Sequence, residues 1–332
     1  MPTLLEFLRK INIRASIAFD EPMARHTSFR IGGPADALIA PKTVDDLEKL
    51  VKSARIEGIP LTILGGGANV VVSDRGIRGI VVETRSLASI EAADAGPASD
   101  GGPASEAGQA SGAGQGAGRT RLRAGAGVSM SRLCEFALAR GLGGLENFYA
   151  MPGSLGGSAF MNARCYEVEM ADRLEGLTIL DRRGDIRPFP LDHAAWTYKT
   201  SPLQPGREEE GSIILEARFV LGPADRAALR ATMLARRADR EAKGHFRLPS
   251  AGSMFKNDRG LGRPTGAILD ELGLKGRRIG DAMVSPWHAN IFVNAGRASS
   301  HDILALVDFA REEALTRLGV SIVPEVLFIG EK

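Results

Sequence analysis

The sequence predicts an α+β chain with more than one compact unit, on three observations. At 332 residues, with 44% hydrophobic and 25% charged side chains, it is long enough to bury more than one core. Short β-like runs dominate the middle of the chain, whereas apolar residues at helical spacing gather at 44–57, 129–140 and two longer segments beyond 222. Glycine-rich turns separate these runs, which favours several short strands joined by loops over a helical bundle.

In chain order, Met1 to Lys10 reads as a short amphipathic helix, with early charges and no small-residue cleavage site. Residues 29–39 read as a strand interrupted by a turn, and 44–57 as a helix with Leu47, Leu50 and Val51 on one face. A buried strand at 61–64, the loop 65–69, and strands at 70–72 and 80–82 complete a small unit ending near Leu87. Residues 92–118 are almost wholly Ala, Gly, Ser, Pro, Asp, Glu and Gln, so they cannot bury enough apolar area to offset the entropy of ordering. This reads as a surface insertion joining two strands, because the strand pattern resumes at Arg121-Leu122-Arg123-Ala124. A helix at 129–140 has Ser129 or Ser131 as its cap and Gly141 as its stop. Strands follow at 174–180, 186–189 and 213–221, with a turn at Arg183-Gly184-Asp185. A third unit opens with an Arg-rich helix reaching about Lys243 and holds a second long helix from His301 or Asp302 to Leu318. The expected boundaries are 1–88, 89–221 with the 92–118 insertion, 222–320, and a returning segment at 321–332.

Forty-two Lys and Arg against forty Asp and Glu leave a formal charge of +2, too balanced for a nucleic-acid binder, though local anion pockets remain compatible. No apolar run approaches the roughly 20 residues that span a bilayer, so no membrane insertion is expected. Cys134 and Cys165 are too few for a disulfide framework, which points to a reducing cytoplasm. Five histidines without ligand spacing imply no metal.

Gly65-Gly66-Gly67-Ala68-Asn69 follows a buried strand and leaves backbone N–H groups that can nest a pyrophosphate, although an ordinary turn accounts for the same residues. It is not a dinucleotide fingerprint, since Val70 stands where a third glycine belongs and Val70-Val71-Val72 prefers strand. No Walker Lys-Ser or Lys-Thr follows either. Met151-Pro152-Gly153-Ser154-Leu155-Gly156-Gly157-Ser158 is a second such loop, and Gly125-Ala126-Gly127 a third flexible segment. In Leu248-Pro249-Ser250-Ala251-Gly252-Ser253-Met254-Phe255-Lys256-Asn257, a serine beside a glycine precedes a lysine and an asparagine, a set of donors suited to a small anion. The plainer alternatives are a loop hydroxyl at Ser253 satisfied by backbone groups and a solvated strand-end carboxylate at Glu325.

From about His26 to its C-terminus the chain resembles the UDP-N-acetylenolpyruvoylglucosamine reductase family. His26-Thr27-Ser28-Phe29-Arg30-Ile31-Gly32-Gly33, the two glycine-rich loops, the Ser253 segment and Pro324-Glu325-Val326-Leu327-Phe328-Ile329-Gly330 occur in the family's order. The resemblance implies a two-part FAD-binding fold of the vanillyl-alcohol oxidase type plus an α/β substrate-binding domain. It implies non-covalent FAD held by Leu64, Gly65, Gly66, Gly67, Ala68, Asn69, Gly125, Pro152, Gly153, Ser154, Gly156, Gly157 and Asn162. It further implies NADPH as hydride donor and UDP-N-acetylenolpyruvoylglucosamine as the partner substrate, reduced in peptidoglycan precursor synthesis. Ser253 matches the family's proton donor and Glu325 its acidic helper; Tyr198, Lys243, Lys256, Asn257 and His288 match substrate-pocket positions.

Two departures stand out. The family usually has Tyr-Arg where this chain has Tyr198-Lys199, and Lys199 keeps the charge but loses the bidentate fork. Arg164, in Asn162-Ala163-Arg164-Cys165-Tyr166-Glu167, replaces a small residue and either supplies the missing guanidinium or forms a surface ion pair. Cys165, a single cysteine in an apolar loop, reads as inert. The short span between Lys199 and Ser253 fits the form of the family that lacks a tyrosine-bearing loop. Two rival readings remain: another flavin oxidoreductase of the superfamily, against which no His or Cys pair for covalent flavin attachment is evident, and a UDP-sugar-binding flavoprotein whose chemistry failed with the arginine.

Overall fold

The computed structural model describes residues 4–94 and 118–331, apart from the side chain of Arg259. Most of the expected insertion, residues 95–117, lies outside the described residues. The chain forms two compact units, one of residues 1–86 with 238–332 and one of residues 87–237.

In the first unit, Ala15–Pro22, Pro34–Pro41, Ile77–Glu83 and Leu61–Leu64 form a four-stranded sheet in that spatial order. The first pair is antiparallel and the rest parallel. The helix Val44–Ile56 starts where the Thr43 side chain accepts from the amide of Asp46, and it buries Leu47, Leu50, Val51 and Ala54. Val70–Val72 pairs in parallel with Leu327–Ile329, so the chain's last strand lies beside the strand that follows the first glycine-rich loop. A second four-stranded sheet takes the order Ser250–Ser253, Ile291–Asn294, Ala282–Val284, Arg278–Ile279. Its core joins Phe29, Ile31 and Val71 to Met254, Phe255, Phe292, Ile303 and Val307. Phe255 meets Phe292 edge-on at 5.8 Å, and each such side chain, fully buried, contributes roughly 1.5–3 kcal/mol. The helix Ser300–Leu318 opens with a reciprocal capping box between Ser299 and Asp302 and stops at Gly319 in the left-handed conformation.

In the second unit, the antiparallel sheet runs Ile186–Pro190, Leu174–Leu180, Ile213–Pro223, Thr120–Gly125, Ile90–Asp94. It closes over Leu122, Leu133, Phe148, Leu177, Ile179 and Phe219. Ser129 caps the helix Met130–Ala139, its side chain accepting from the amide of Arg132.

Two expectations are corrected. The expected break within 29–39 is present, at Arg30 (φ +56°) and Gly32 (φ +140°), but no strand precedes it: the sheet strand begins only at Pro34. The expected insertion starts too early, because Ala92, Ala93 and Asp94 pair with Leu122, Arg121 and Thr120. The strands flanking it are therefore antiparallel neighbours.

Candidate active site

Backbone pairing in the first unit gathers three motifs that are far apart in sequence. Ser253 ends the strand Ser250–Ser253, opposite Ile291. The next residue, Met254, donates its amide to the carbonyl of Asn290 at 2.7 Å and accepts from the amide of Glu325 at 2.8 Å. Asn290 clamps Phe255 from both sides: its Oδ1 accepts from the Phe255 amide at 2.9 Å and its Nδ2 donates to the Phe255 carbonyl at 2.8 Å. The Lys256 amide reaches the Val323 carbonyl at 2.9 Å. Asn69 joins the group through Nδ2, which donates to the carbonyl of Glu325 at 3.2 Å, while its own carbonyl accepts from the Leu327 amide at 3.0 Å. Half-buried, the Ser253 hydroxyl has no hydrogen-bond partner among the described residues. It is thus not the backbone-satisfying loop hydroxyl that the plainer reading supposes.

The loop before Asn69 is held by close approach. Gly67 is buried at φ +64°, where a Cβ would stand 2.1 Å from the His26 carbonyl oxygen, and its own carbonyl accepts from the Ser28 amide at 2.9 Å. Ser28 in turn donates Oγ to the Ser250 carbonyl at 2.6 Å, tying the His26 motif to the Ser253 strand. The amides of Gly67, Ala68 and Asn69 have no acceptor among the described residues. Three successive free N–H groups behind a buried Leu64 are the donor set that a diphosphate requires, so this loop fits FAD's pyrophosphate.

The expected substrate-pocket residues are placed less uniformly. Asn257 Oδ1 accepts from the Thr265 amide at 2.9 Å, and the Lys256 carbonyl accepts from Thr265 Oγ1 at 2.6 Å, so this pair anchors the helix Thr265–Glu271. Lys243, in the turn just past the helix Arg226–Ala242, ion-pairs with Asp239 at 2.7 Å. His288 Nδ1 accepts from the Asn290 amide at 3.2 Å, which puts the proton of the neutral ring on Nε2. Burial lowers its pKa, helped by the nearby positive charge of Lys243, and keeps the ring neutral. Sequence reasoning missed its neighbours. The Arg247 guanidinium lies 4.6 Å over the Trp287 ring, which is 36% exposed, and His245 stands 6.4 Å from His288. The available signal was Trp287 itself, an aromatic directly before His288.

In the second unit, Gly125 leaves no room for a side chain, since a Cβ would stand 2.3 Å from the Leu87 carbonyl oxygen. The Gly156 amide donates to the Ala126 carbonyl at 2.8 Å, and Gly157 donates to Ser154 Oγ at 3.4 Å as Ser154 caps the helix Leu155–Phe160. Those two amides are committed, whereas that of Gly153, next to Pro152, has no acceptor among the described residues. Asn162 is fully buried: Nδ2 donates to Glu169 at 2.8 Å and to the Thr197 carbonyl at 2.9 Å, and Oδ1 accepts from the Ala171 amide at 3.0 Å. Its polar atoms thus position the segment carrying Tyr198 and Lys199. Lys199 sits at φ +56°. Arg164, only 13% exposed in its side chain, ion-pairs with Glu167, approaches Glu169 at 3.9 Å, and lies 5.6 Å from the Tyr198 ring centre. The cysteines are buried, and burial drives the Cys134 thiol pKa far upward, leaving it protonated and unreactive.

Residues 35–189 match the family described as an FAD binding domain, which together with the loops above makes this α+β chain an FAD-binding oxidoreductase. Residues 244–329 match the UDP-N-acetylenolpyruvoylglucosamine reductase C-terminal domain. The chain is 36% identical to the UDP-N-acetylenolpyruvoylglucosamine reductase of Treponema denticola over 95% of its length and 94% of that protein's. It is also 36% identical to that of Pelobacter propionicus, over 98% and 99%. The crystal structure of the reductase from Thermus caldophilus superposes with a TM-score of 0.72 at 27% identity, covering 95% of this chain and 99% of that one. The chain belongs to the UDP-N-acetylenolpyruvoylglucosamine reductase family. Among the described residues no helix is long and apolar enough to cross a membrane.

Proposed function

We propose that the protein reduces UDP-N-acetylenolpyruvoylglucosamine to UDP-N-acetylmuramate in the cytoplasm, with NADPH as donor, in peptidoglycan precursor synthesis. Bound FAD would supply hydride from N5 to C3 of the enolpyruvyl group, having taken it from NADPH. Ser253 donates the proton to C2, a role a hydroxyl can fill because the enolate-like carbon is strongly basic. Glu325 polarises the substrate or relays the proton, and Lys199 neutralises charge building on the carboxylate. Gly67, Ala68 and Asn69 offer amides to the FAD diphosphate. Segments 1–88 and 89–221 serve as FAD-binding subdomains. Segment 222–320, in the form that lacks the tyrosine loop, takes the UDP-sugar, with Tyr198, Lys243, Lys256, Asn257 and His288 as contacts, and 321–332 brings Glu325 back.

The observation that carries this reading is the unpartnered Ser253 hydroxyl beside Met254, whose carbonyl receives the Glu325 amide at 2.8 Å. The test is anaerobic mixing of flavin-loaded protein with NADPH and then with the enolpyruvyl substrate, while following flavin absorbance. Bleaching by the first and recovery with the second are expected. Bleaching without recovery would exclude the substrate, and no bleaching would exclude the donor.

A further inference from the structure

The first unit has a cleft of about 570 Å³ whose lining includes Arg30, Gly33, Asp74, Pro249, Asn294 and Arg297. It opens at the far ends of the strands that carry the candidate catalytic residues. Asn69 directly precedes Val70–Val72, whereas Asp74 follows it. Pro249 precedes Ser250–Ser253, which Ser253 ends, and across the ladder Ile291 pairs with Ser253 while Asn294 ends that strand on the cleft side. Three residues of strand, about 10 Å, separate the two ends.

The polar groups lining this cleft are mostly spent. The Asp74 carboxylate accepts from the amide and hydroxyl of Ser300, each at 2.8 Å, and from the His301 amide at 3.2 Å. Asn294 Oδ1 takes the amides of Gly296 and Ala298, the Arg297 amide donates to Asp281 Oδ2, and the Gly33 amide goes to the Ser73 carbonyl. What remains is the guanidinium groups of Arg30 and Arg297, both on exposed residues and neither hydrogen-bonded nor ion-paired among the described residues. A cleft with two free guanidiniums, whose one lining carboxylate is already saturated by donors, selects an anion with several acceptor oxygens.

We infer that this cleft binds a phosphate-bearing small molecule, at a site separate from the Ser253 and Glu325 cluster and independent of the reaction proposed above. Its volume lies in the range of metabolite pockets.

Inorganic pyrophosphate, titrated calorimetrically into the FAD-loaded full chain at constant ionic strength, is the test. One saturable event is expected, weakened roughly tenfold or more in Arg30→Met/Arg297→Met, since charge-assisted hydrogen bonds to phosphate are lost, and unchanged in Lys243→Met. Arg297→Glu alone, an exposed reversal that leaves the backbone bond to Asp281 in place, should also abolish it and decides the matter if the double variant fails to fold. Binding that survives the arginine changes but is lost in Lys243→Met would place the anion elsewhere and overturn the inference, as would no saturable binding to the unaltered protein.

Discussion

The amide of Glu325 donates to the carbonyl of Met254 across 2.8 Å, so the acidic residue of the last segment is fixed one residue from Ser253 by main chain. Neither side chain is needed for the juxtaposition, which separates chemistry from folding at this site. Ser253→Ala should leave thermal stability within about 0.5 kcal/mol, as removal of an unpartnered hydroxyl predicts. Flavin reduction by NADPH should be spared and reoxidation by the enolpyruvyl substrate slowed by about 10² to 10⁴. Stopped-flow absorbance of the two half-reactions reads the difference, and equal slowing of both would make Ser253 structural.

Gly67→Ala should release flavin and destabilise the protein by more than about 2 kcal/mol, because left-handed strain adds to a steric clash. Its φ is +64° and the new Cβ would meet the His26 carbonyl oxygen at 2.1 Å. Gly252→Ala is the control: φ is +76° but nothing lies within 4 Å, so only the conformational cost of about 1–2 kcal/mol applies. Denaturant midpoints and flavin retention on gel filtration compare them, and similar losses for both would remove the clash at His26 from the explanation.

His245 should make stability fall with acid. Burial, aided by the positive charges of Arg240 and Lys243, lowers its pKa from 6.5 to about 4. The unfolded chain therefore binds a proton below pH 6.5 that the folded chain refuses until about pH 4. Stability contributed by the neutral ring is complete above 6.5 and declines as pH falls through that window. His245→Gln should flatten the change in urea midpoint between pH 7 and pH 5; an unaltered slope would assign the acid sensitivity to other groups.

Replacing residues 95–117 with a short turn should leave flavin binding and turnover nearly intact. The strands on either side already pair, with Asp94 opposite Thr120, and loop-closure entropy changes by only about 0.6 kcal/mol per doubling of length. A folded deletion without activity would show that the segment reaches the site.

The elements with strong local signals were legible in the sequence. The apolar spacing of Leu47, Leu50 and Val51 gave a helix that runs to Ile56, and Val70-Val71-Val72 gave a strand where a dinucleotide-binding fold would need a helix. The strand Ala15–Pro22 was missed because its burial follows no two-residue alternation. The turn within 29–39 was legible from Gly32-Gly33-Pro34, but the strand expected before it fails because a positive φ at Arg30 leaves no compositional mark. At the candidate site, motif order pointed to Ser253 and Glu325 but not to what joins them. The Asn290 clamp on Phe255 and the Asn69 bond to Glu325 are long-range contacts of ordinary residue types. The committed polar atoms of Asn162 were equally invisible, since a buried asparagine and a ligand-binding one read alike.

Lys199, and not Arg164, should act as the cation on the substrate carboxylate. Arg164 already faces Glu167 and Glu169 and lies 5.6 Å from the Tyr198 ring centre, so its charge is largely neutralised by protein carboxylates. Asn162 ties Glu169 to the Thr197 carbonyl, which makes Arg164 part of the frame that orients the Tyr198-Lys199 segment. Lys199→Met keeps most of the stem's packing but removes the charge, and should raise the substrate requirement and slow reoxidation without affecting reduction by NADPH. Lys199→Arg should retain or improve reoxidation, because a guanidinium adds a paired donor fork to the same charge. Arg164→Met should instead lower thermal stability while reoxidation per bound flavin changes less than in Lys199→Met. The reverse ranking of the two methionine variants in stopped-flow reoxidation would transfer the carboxylate-binding role to Arg164.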